Sequence, residues 1–301
     1  MSLVLDLTRL FYHTQQWCYL IPSSPLFLKA GFSQFLRTFT PLFSPLQKLY
    51  SWIRWILLTA VVCGSSTSQG LANDQTNVDV ELILAVDISF SISSGEQDIQ
   101  RQGYVAAFRD PKIIRSITSG RHGRIAVTYL EWAGPDLRRQ IIPWTEISDT
   151  KSALAFADAL KSAKIHRGGR TSISAALAAA HYLFSINQFQ GTRRIVDISG
   201  DGPNNFGGPV ALARDRLVSQ GVTINGLPLT GSAGSTEVPI NITHYYSECV
   251  IGGPGAFIIS VSDWKDFQLS LKRKLILEIA GNRPLVLHAA APIETCQGLY
   301  S

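Results

Sequence analysis

A run of aliphatic residues from Val80 to Asp87 limits the possible folds of this chain more than any other feature. Apart from Glu81 and the terminal Asp87, every residue in the run is apolar. A strand with one face in water alternates polar and apolar residues, whereas a strand buried on both faces is almost continuously apolar. The run therefore predicts an interior strand of a parallel sheet that carries helices on both faces.

The rest of the sequence alternates helical and extended patterns. Helices are predicted at residues 96–108, 149–163, 172–184, 209–220 and 263–280, and further strands at 124–132, 138–144, 193–199, 222–229 and 256–261. The short turn at residues 133–136 suits an antiparallel hairpin, and the other strands are separated by helices, as in parallel crossovers. We expect an α/β fold over residues 73–283: a doubly wound, mostly parallel sheet with one antiparallel edge strand and helices on both faces. Residues 230–255 are expected to be irregular, and residues 284–301 to form a loosely attached tail.

Residues 1–72 are predicted to be a targeting region. Arg54 precedes an apolar run at residues 55–63, and a polar stretch then ends in Gly70-Leu71-Ala72. A basic residue, a short apolar run and a small-x-small site are the parts of a secretory signal. The run is too short to cross a bilayer as a helix, so we expect no stable membrane span in the mature form. A short buried core helix is the alternative for this run, and the long stretch that precedes it suggests a mispredicted start codon.

The net charge of +5 is concentrated in the same region. Residues 1–72 contain five Lys or Arg and one acidic residue, which leaves 22 basic and 21 acidic residues in the remainder. That balance does not indicate a nucleic acid partner. The four cysteines form no CxxC pattern and have no histidine at ligand spacing, which argues against a zinc site. After removal of the signal, Cys249 and Cys296 either form a disulfide or remain a buried small hydrophobe and a free thiol in the tail.

Polar residues lie in three loops at the carboxyl ends of the predicted strands, which is where ligands bind in such sheets. Asp87, Ser89 and Ser91 follow the first strand, Thr171 lies in a Gly-rich loop before a helix, and Asp201 follows the strand at 193–199. Carboxylate and hydroxyl oxygens are ligands that suit a hard cation such as Mg²⁺. Helix capping by Thr171 and ordinary turn chemistry at Asp201 are the alternatives for those two residues taken singly.

At these five positions the sequence resembles the von Willebrand factor type A domain with its metal-ion-dependent adhesion site. The D-x-S-x-S pattern of that family falls on Asp87, Ser89 and Ser91, its Thr on Thr171, and its second Asp on Asp201. The resemblance implies a site for Mg²⁺, or for Mn²⁺ or Ca²⁺, and a binding module with no enzymatic activity. It also implies a protein partner that offers an Asp or Glu carboxylate, which displaces a water from the cation.

Two further features qualify the resemblance. Arg170 stands beside Thr171, where its charge would either disfavour a cation or reach toward a carboxylate of a partner. The segments that begin at Cys249 and at Arg273 resemble those of uncharacterised bacterial exported proteins of this class. The signal pattern at residues 54–72 predicts a periplasmic or secreted location in a bacterium.

A metal-dependent hydrolase or phosphatase that uses the same aspartates is the alternative function. Ser199 lies in a sequence one residue away from a G-x-S-x-G elbow, and His166, His181 and His244 are candidate bases, although nothing places them near a serine. The basic run Lys272-Arg273-Lys274 on the last helix is expected to be a solvated face.

The leader pattern generates the first testable prediction: the exported protein begins near Asn73. Cleavage after Ala72 is expected because the small-x-small site ends there. N-terminal sequencing of the protein recovered from the periplasm or the medium measures this directly. Recovery of a cytosolic protein that keeps its original N-terminus would contradict the prediction.

Overall fold

A computed structural model describes residues 75–231 and 241–281 together with Cys296. The predicted targeting region, including the apolar run at 55–63, lies outside the described residues. So does the predicted tail at 284–301, apart from Cys296, and the domain boundaries therefore stay predictions. Within the described ranges, no helix is both long and apolar enough to cross a membrane.

Five strands form one sheet in the order β3-β2-β1-β4-β5. Their bounds are Thr76–Asp87 for β1, Ile125–Trp132 for β2, Arg138–Ile147 for β3, Phe189–Gly200 for β4 and Val222–Pro228 for β5. β1 pairs in parallel with both β2 and β4, β4 pairs in parallel with β5, and β3 is antiparallel to β2 at one edge. This arrangement confirms the predicted mostly parallel sheet with one antiparallel edge strand.

Helices cover both faces of the sheet. The helices are α1 (Ser94–Arg109), α2 (Pro111–Thr118), α3 (Thr150–Ser162), α4 (Ile173–Ser185), α5 (Val210–Val218), α6 (Ile242–Tyr245) and α7 (Phe267–Ala280). A π-helix, Tyr246–Val250, continues α6, and a 3-10 turn, Trp264–Asp266, precedes α7. Alternate residues of β1 enter two separate cores: Leu82 and Leu84 pack with α1, α3 and α7, and Ile83 and Ala85 pack with α4, α5 and the π-helix. The expectation of helices on both faces is therefore confirmed.

The structure corrects the sequence interpretation at three places. Helix α2 was not predicted; it begins at Pro111, with the Asp110 side chain accepting a hydrogen bond from the Lys112 amide. The segment at 230–255 is only partly irregular, because α6 and the π-helix lie within it. The predicted strand at 256–261 is wrong, since that segment makes only isolated bridges, to Gly226 of β5 and to Leu229 just beyond it. There the Phe257 amide donates to the Asn225 side chain and not to a backbone carbonyl of the neighbouring strand, so a regular ladder of backbone hydrogen bonds does not form.

The expectation of a solvated basic face at 272–274 is wrong for Lys274, which is fully buried. Its Nζ lies 2.6 Å from Asp197 Oδ1 on β4 and also pairs with Glu278 one turn along α7. Asn225 on β5 donates to Glu278 as well. A charged side chain is buried at acceptable free energy only when it is paired, so this cluster fixes the position of α7 on the sheet. Burial and the nearby charge of Asp197 raise the pKa of Glu278 to about 7.

Cys249 and Cys296 form a disulfide, with Cα atoms 5.6 Å apart, so the first of the two alternatives for these cysteines is confirmed. The bond joins the π-helix to a residue of the tail, across a sequence separation of 47 residues. In the loop-entropy description, closing a loop of that length constrains the unfolded chain by roughly 4 kcal/mol.

The buried cluster makes the stability of the protein depend on pH through Glu278. A carboxyl whose pKa is higher in the folded than in the unfolded chain stabilises the fold at low pH, and that stabilisation is lost as the pH rises toward about 7. We therefore expect Glu278→Gln to be less sensitive to pH between 4.5 and 8, by up to roughly 3 kcal/mol. Urea unfolding of both proteins across this range is the measurement. Buried carboxyls outside this cluster, such as Asp87, act equally in both proteins, so parallel pH profiles would contradict the prediction.

Candidate metal site

The predicted ligands lie at the carboxyl edge of the sheet, beside the ends of β1 and β4. The chain crosses from β1 to β2 on one side and later returns to β4 on the other side. Loops that leave two strands at such a switch point diverge and form a crevice. Asp87 is the last residue of β1, and Asp201 directly follows β4.

Hydrogen bonds between loops hold the predicted residues in this crevice. The Gly168 amide donates to the Ile88 carbonyl over 3.0 Å, which ties the Gly-rich loop to the end of β1. The Thr171 amide donates to Asn205 Oδ1 over 2.9 Å, and the Asn205 amide donates back to the Thr171 carbonyl over 3.0 Å. Thr171 is thereby fixed against the loop that carries Asp201.

Four of the five predicted residues form one chain of hydrogen bonds. The Ser89 amide donates to Asp87 Oδ1 over 2.7 Å, and Ser91 Oγ donates to Asp201 Oδ1 over 2.8 Å. The two serine hydroxyls lie 3.0 Å apart. The fifth residue, Thr171, is buried, and its hydroxyl faces the loop at Gly202.

The two carboxylates are buried close to each other. Asp87 has no exposed surface and Asp201 is 7% exposed. Burial, and then the charge of Asp201, raise the pKa of Asp87 well above its usual range, although hydrogen bonds from Ser89 act in the opposite direction. Asp87 Oδ2 is buried and accepts no hydrogen bond from the described residues. A bound cation would remove both the repulsion and the unsatisfied oxygen.

The donor set fits a hard divalent cation. Every polar side chain in the cluster offers oxygen, and Mg²⁺, Mn²⁺ and Ca²⁺ prefer oxygen ligands. Over residues 75–231 and 241–281, no group of three or more His, Cys, Asp or Glu side chains lies together in a way that could hold an ion. A cation at this edge therefore needs the hydroxyls of Ser89, Ser91 and Thr171 in addition to the two carboxylates.

Sequence reasoning missed Tyr246, which reaches the site from the π-helix. Its hydroxyl is buried, and burial together with the charges of Asp87 and Asp201 raises its pKa well above the usual value. A methyl group at position 200 would lie 2.7 Å from that hydroxyl and 2.9 Å from Asp87 Oδ2, so the approach of these groups requires Gly200. Tyr246 was missed because it falls in the segment interpreted as irregular, and no local pattern marks it.

The candidate hydrolytic residues lie elsewhere. Ser199 is fully buried, and in the described part of the chain no hydrogen bond joins it to a histidine. His166 Nδ1 lies 3.0 Å from Glu131 Oε2, and His181 is hydrogen-bonded to Gln220. His244 is exposed on α6. None of these histidines is placed to activate Ser199.

Comparison with known proteins gives one family and several similar structures. A family model described as "Protein of unknown function (DUF1194)" matches residues 77–283. The chain is 15% identical to proximal thread matrix protein 1 of the mussel byssus, solved with a zinc-occupied MIDAS motif, with a TM-score of 0.47 over 68% of this chain and 49% of that one. It is 13% identical to a von Willebrand factor type A protein from Catenulispora acidiphila, with a TM-score of 0.48 over 67% of this chain and 43% of that one. It is 21% identical to an aerotolerance-related membrane protein from Bacteroides fragilis, with a TM-score of 0.40 over 65% of this chain and 98% of that one.

No curated protein matches the chain. This chain spans about half or less of the mussel and Catenulispora proteins, so the activities and partners of those whole proteins do not transfer to it.

The buried carboxylates generate a prediction about metal binding. Asp87→Asn keeps the side-chain volume and removes the repulsion with Asp201, so without metal the variant should be at least as stable as the wild type. Added Mg²⁺ should raise the Tm of the wild type by several degrees and leave the variant unchanged, since ligands stabilise only the state that binds them. Thermal unfolding with EDTA and with Mg²⁺ measures both effects.

Asp98→Asn on the exposed face of α1 is the matched control and should respond to Mg²⁺ like the wild type. An equal Mg²⁺ response in Asp87→Asn would contradict a metal site at these residues.

Proposed function

The chain belongs to the DUF1194 family, and from the geometry of its site we propose that it is a metal-dependent binding module that captures a carboxylate of a protein partner. The observation that carries the proposal is the hydrogen-bonded cluster of Asp87, Ser89, Ser91 and Asp201, with Thr171 beside it. This cluster has two buried carboxylates and one carboxylate oxygen, Asp87 Oδ2, without a donor among the described residues.

The number of oxygen ligands favours a bridging role. Mg²⁺ takes six oxygen ligands, and with one oxygen from each side chain the five residues would supply five of them. Asp87, Asp201 and the three hydroxyls would hold such a cation and would leave one ligand position for an oxygen from outside the protein. A carboxylate of a partner suits that position, because it is a hard oxygen ligand and carries negative charge.

Binding is favoured over hydrolysis because, among the described residues, the serine hydroxyls of the site have no base beside them other than the two carboxylates that a cation would occupy. Hydrolysis at the same aspartates would need a hydroxyl with a neighbouring general base, or a second metal. In the portion of the chain that the structure describes, Ser89 and Ser91 are hydrogen-bonded to each other and to the carboxylates, with no histidine among their partners. The proposal therefore assigns no catalytic residue.

We place the module outside the cytoplasm. The predicted signal at residues 55–72 is one support, although it lies outside the described residues. The disulfide between Cys249 and Cys296 is an independent support, because such bonds persist mainly in oxidising compartments.

Partner capture tests this function. The exported chain, immobilised, should retain a protein from periplasmic extract in the presence of Mg²⁺ and release it in EDTA. Asp87→Asn should retain none of that protein, and the surface variant Asp98→Asn should retain as much as the wild type. Mass spectrometry of the Mg²⁺-dependent fraction identifies the partner, and converting its exposed carboxyls to amides should abolish retention.

A phosphatase assay on the same samples separates the alternative function. The proposal expects no hydrolysis of p-nitrophenyl phosphate above background with or without EDTA. Mg²⁺-dependent hydrolysis that disappears in Asp87→Asn would show that the site is catalytic and would refute the binding role.

A further inference from the structure

Four exposed side chains stand on the loops that carry the candidate ligands; we call them the rim: Phe90, Arg167, Arg170 and Phe206. Phe90 lies between Ser89 and Ser91 and is 62% exposed, and Phe206 follows Asp201 on its loop and is 42% exposed. Each phenylalanine has an arginine over its ring: Arg167 at 5.3 Å from Phe90 and Arg170 at 3.9 Å from Phe206. Exposed aromatic residues beside a site are typical of binding surfaces.

Arg170 is held in a backbone conformation that its residue type disfavours. Its φ is 70°, and it is the one non-glycine residue with positive φ in the described chain. Such strain persists where surrounding structure imposes it, and it concentrates at functional sites. Hydrogen bonds from the Gly168 and Thr171 amides hold the backbone on either side of Arg170. The strained conformation presents the guanidinium at the surface beside Thr171.

The Arg170 guanidinium is also free to bind. Among the described residues it makes no ion pair and no hydrogen bond, and its contact is with the Phe206 ring. Because the contact with the ring is made without a hydrogen bond, the N–H groups of Arg170 remain available to a carboxylate. Arg167 differs, since it donates to the carbonyls of Phe90 and Ile92 and so serves to hold the first loop.

The charge of this surface favours an acidic ligand. A divalent cation would balance Asp87 and Asp201, which leaves the two rim arginines uncompensated. The adjoining hairpin adds one acid, Asp136, and two exposed arginines, Arg138 and Arg139. A ligand with a single carboxylate would meet the cation and leave this positive charge unpaired.

We propose that the rim selects an acidic segment of a partner protein that carries two carboxylates: one meets the cation and the second pairs with Arg170. The apolar surface of Phe90 and Phe206 packs against the side chains that flank the acidic pair. This inference rests on the proposed function and adds the chemistry of the partner to it.

Synthetic peptides test the selection directly, whichever protein the partner is. The probes are Gly/Ser peptides with a single Glu, or with two Glu separated by one, two or three residues, and matched peptides in which Gln replaces the second Glu. Fluorescence anisotropy with Mg²⁺-loaded wild-type protein should show binding of the single-Glu peptide and about tenfold tighter binding of the best paired peptide. A tenfold difference corresponds to one charge-assisted, bidentate pair.

Two substitutions locate the effect at Arg170. Arg170→Gln should lose the preference for the paired peptide while its affinity for the single-Glu peptide and for Mg²⁺ stays unchanged. Arg170→Gly should lose the same preference and should fold at least as stably as the wild type, because glycine adopts φ of 70° without strain. Arg216→Gln on α5, also exposed, removes the same charge elsewhere and should keep the preference.

The outcomes separate this inference from the proposed function. Wild-type protein that binds Mg²⁺ and the single-Glu peptide but shows no preference for a pair would overturn the rim inference alone. Preference that survives in both Arg170 variants would overturn it as well. Failure of the wild type to bind Mg²⁺ in calorimetry would refute the proposed function and this inference together.

Discussion

Helices bury both faces of β1, and the positions of the other elements follow from that burial. Its alternate residues feed two cores, so helices must pack above and below the sheet. Parallel partners on both sides then require crossover connections in opposite directions, and these connections open a crevice at the carboxyl end of the strand. The candidate site lies at this crevice because the first strand ends in Asp87.

The burial that stabilises the sheet also raises the free energy of the charged carboxylates at the site when no cation is bound. A carboxylate at the end of a doubly buried strand loses its hydration, and Asp201 places a second negative charge near it. The protein provides some compensation through the Ser89 amide and the serine hydroxyls. The proposed cation would supply the remainder, and this imbalance is the physical argument for proposing it.

The sequence predicted the features that depend on local pattern. Strand periodicity and helix caps placed the shared elements within four residues of their observed bounds, and the D-x-S-x-S spacing located three residues of the cluster. The features it missed depend on tertiary context. Lys274 has the pattern of a surface residue, and only its approach to Asp197, which is 77 positions earlier in the chain, makes its burial possible. Tyr246 and the broken strand at 256–261 depend on contacts between distant segments in the same way.

The disulfide has a mechanical consequence. Cys249 and Cys296 close a covalent ring that contains α7, so tension applied to the chain beyond Cys296 bypasses that helix. The load passes directly into the π-helix, three residues from Tyr246 and the carboxylate cluster. A protein tethered through its C-terminus would therefore transmit pulling force to the ligand-facing edge of the sheet while α7 and its buried lysine remain unloaded.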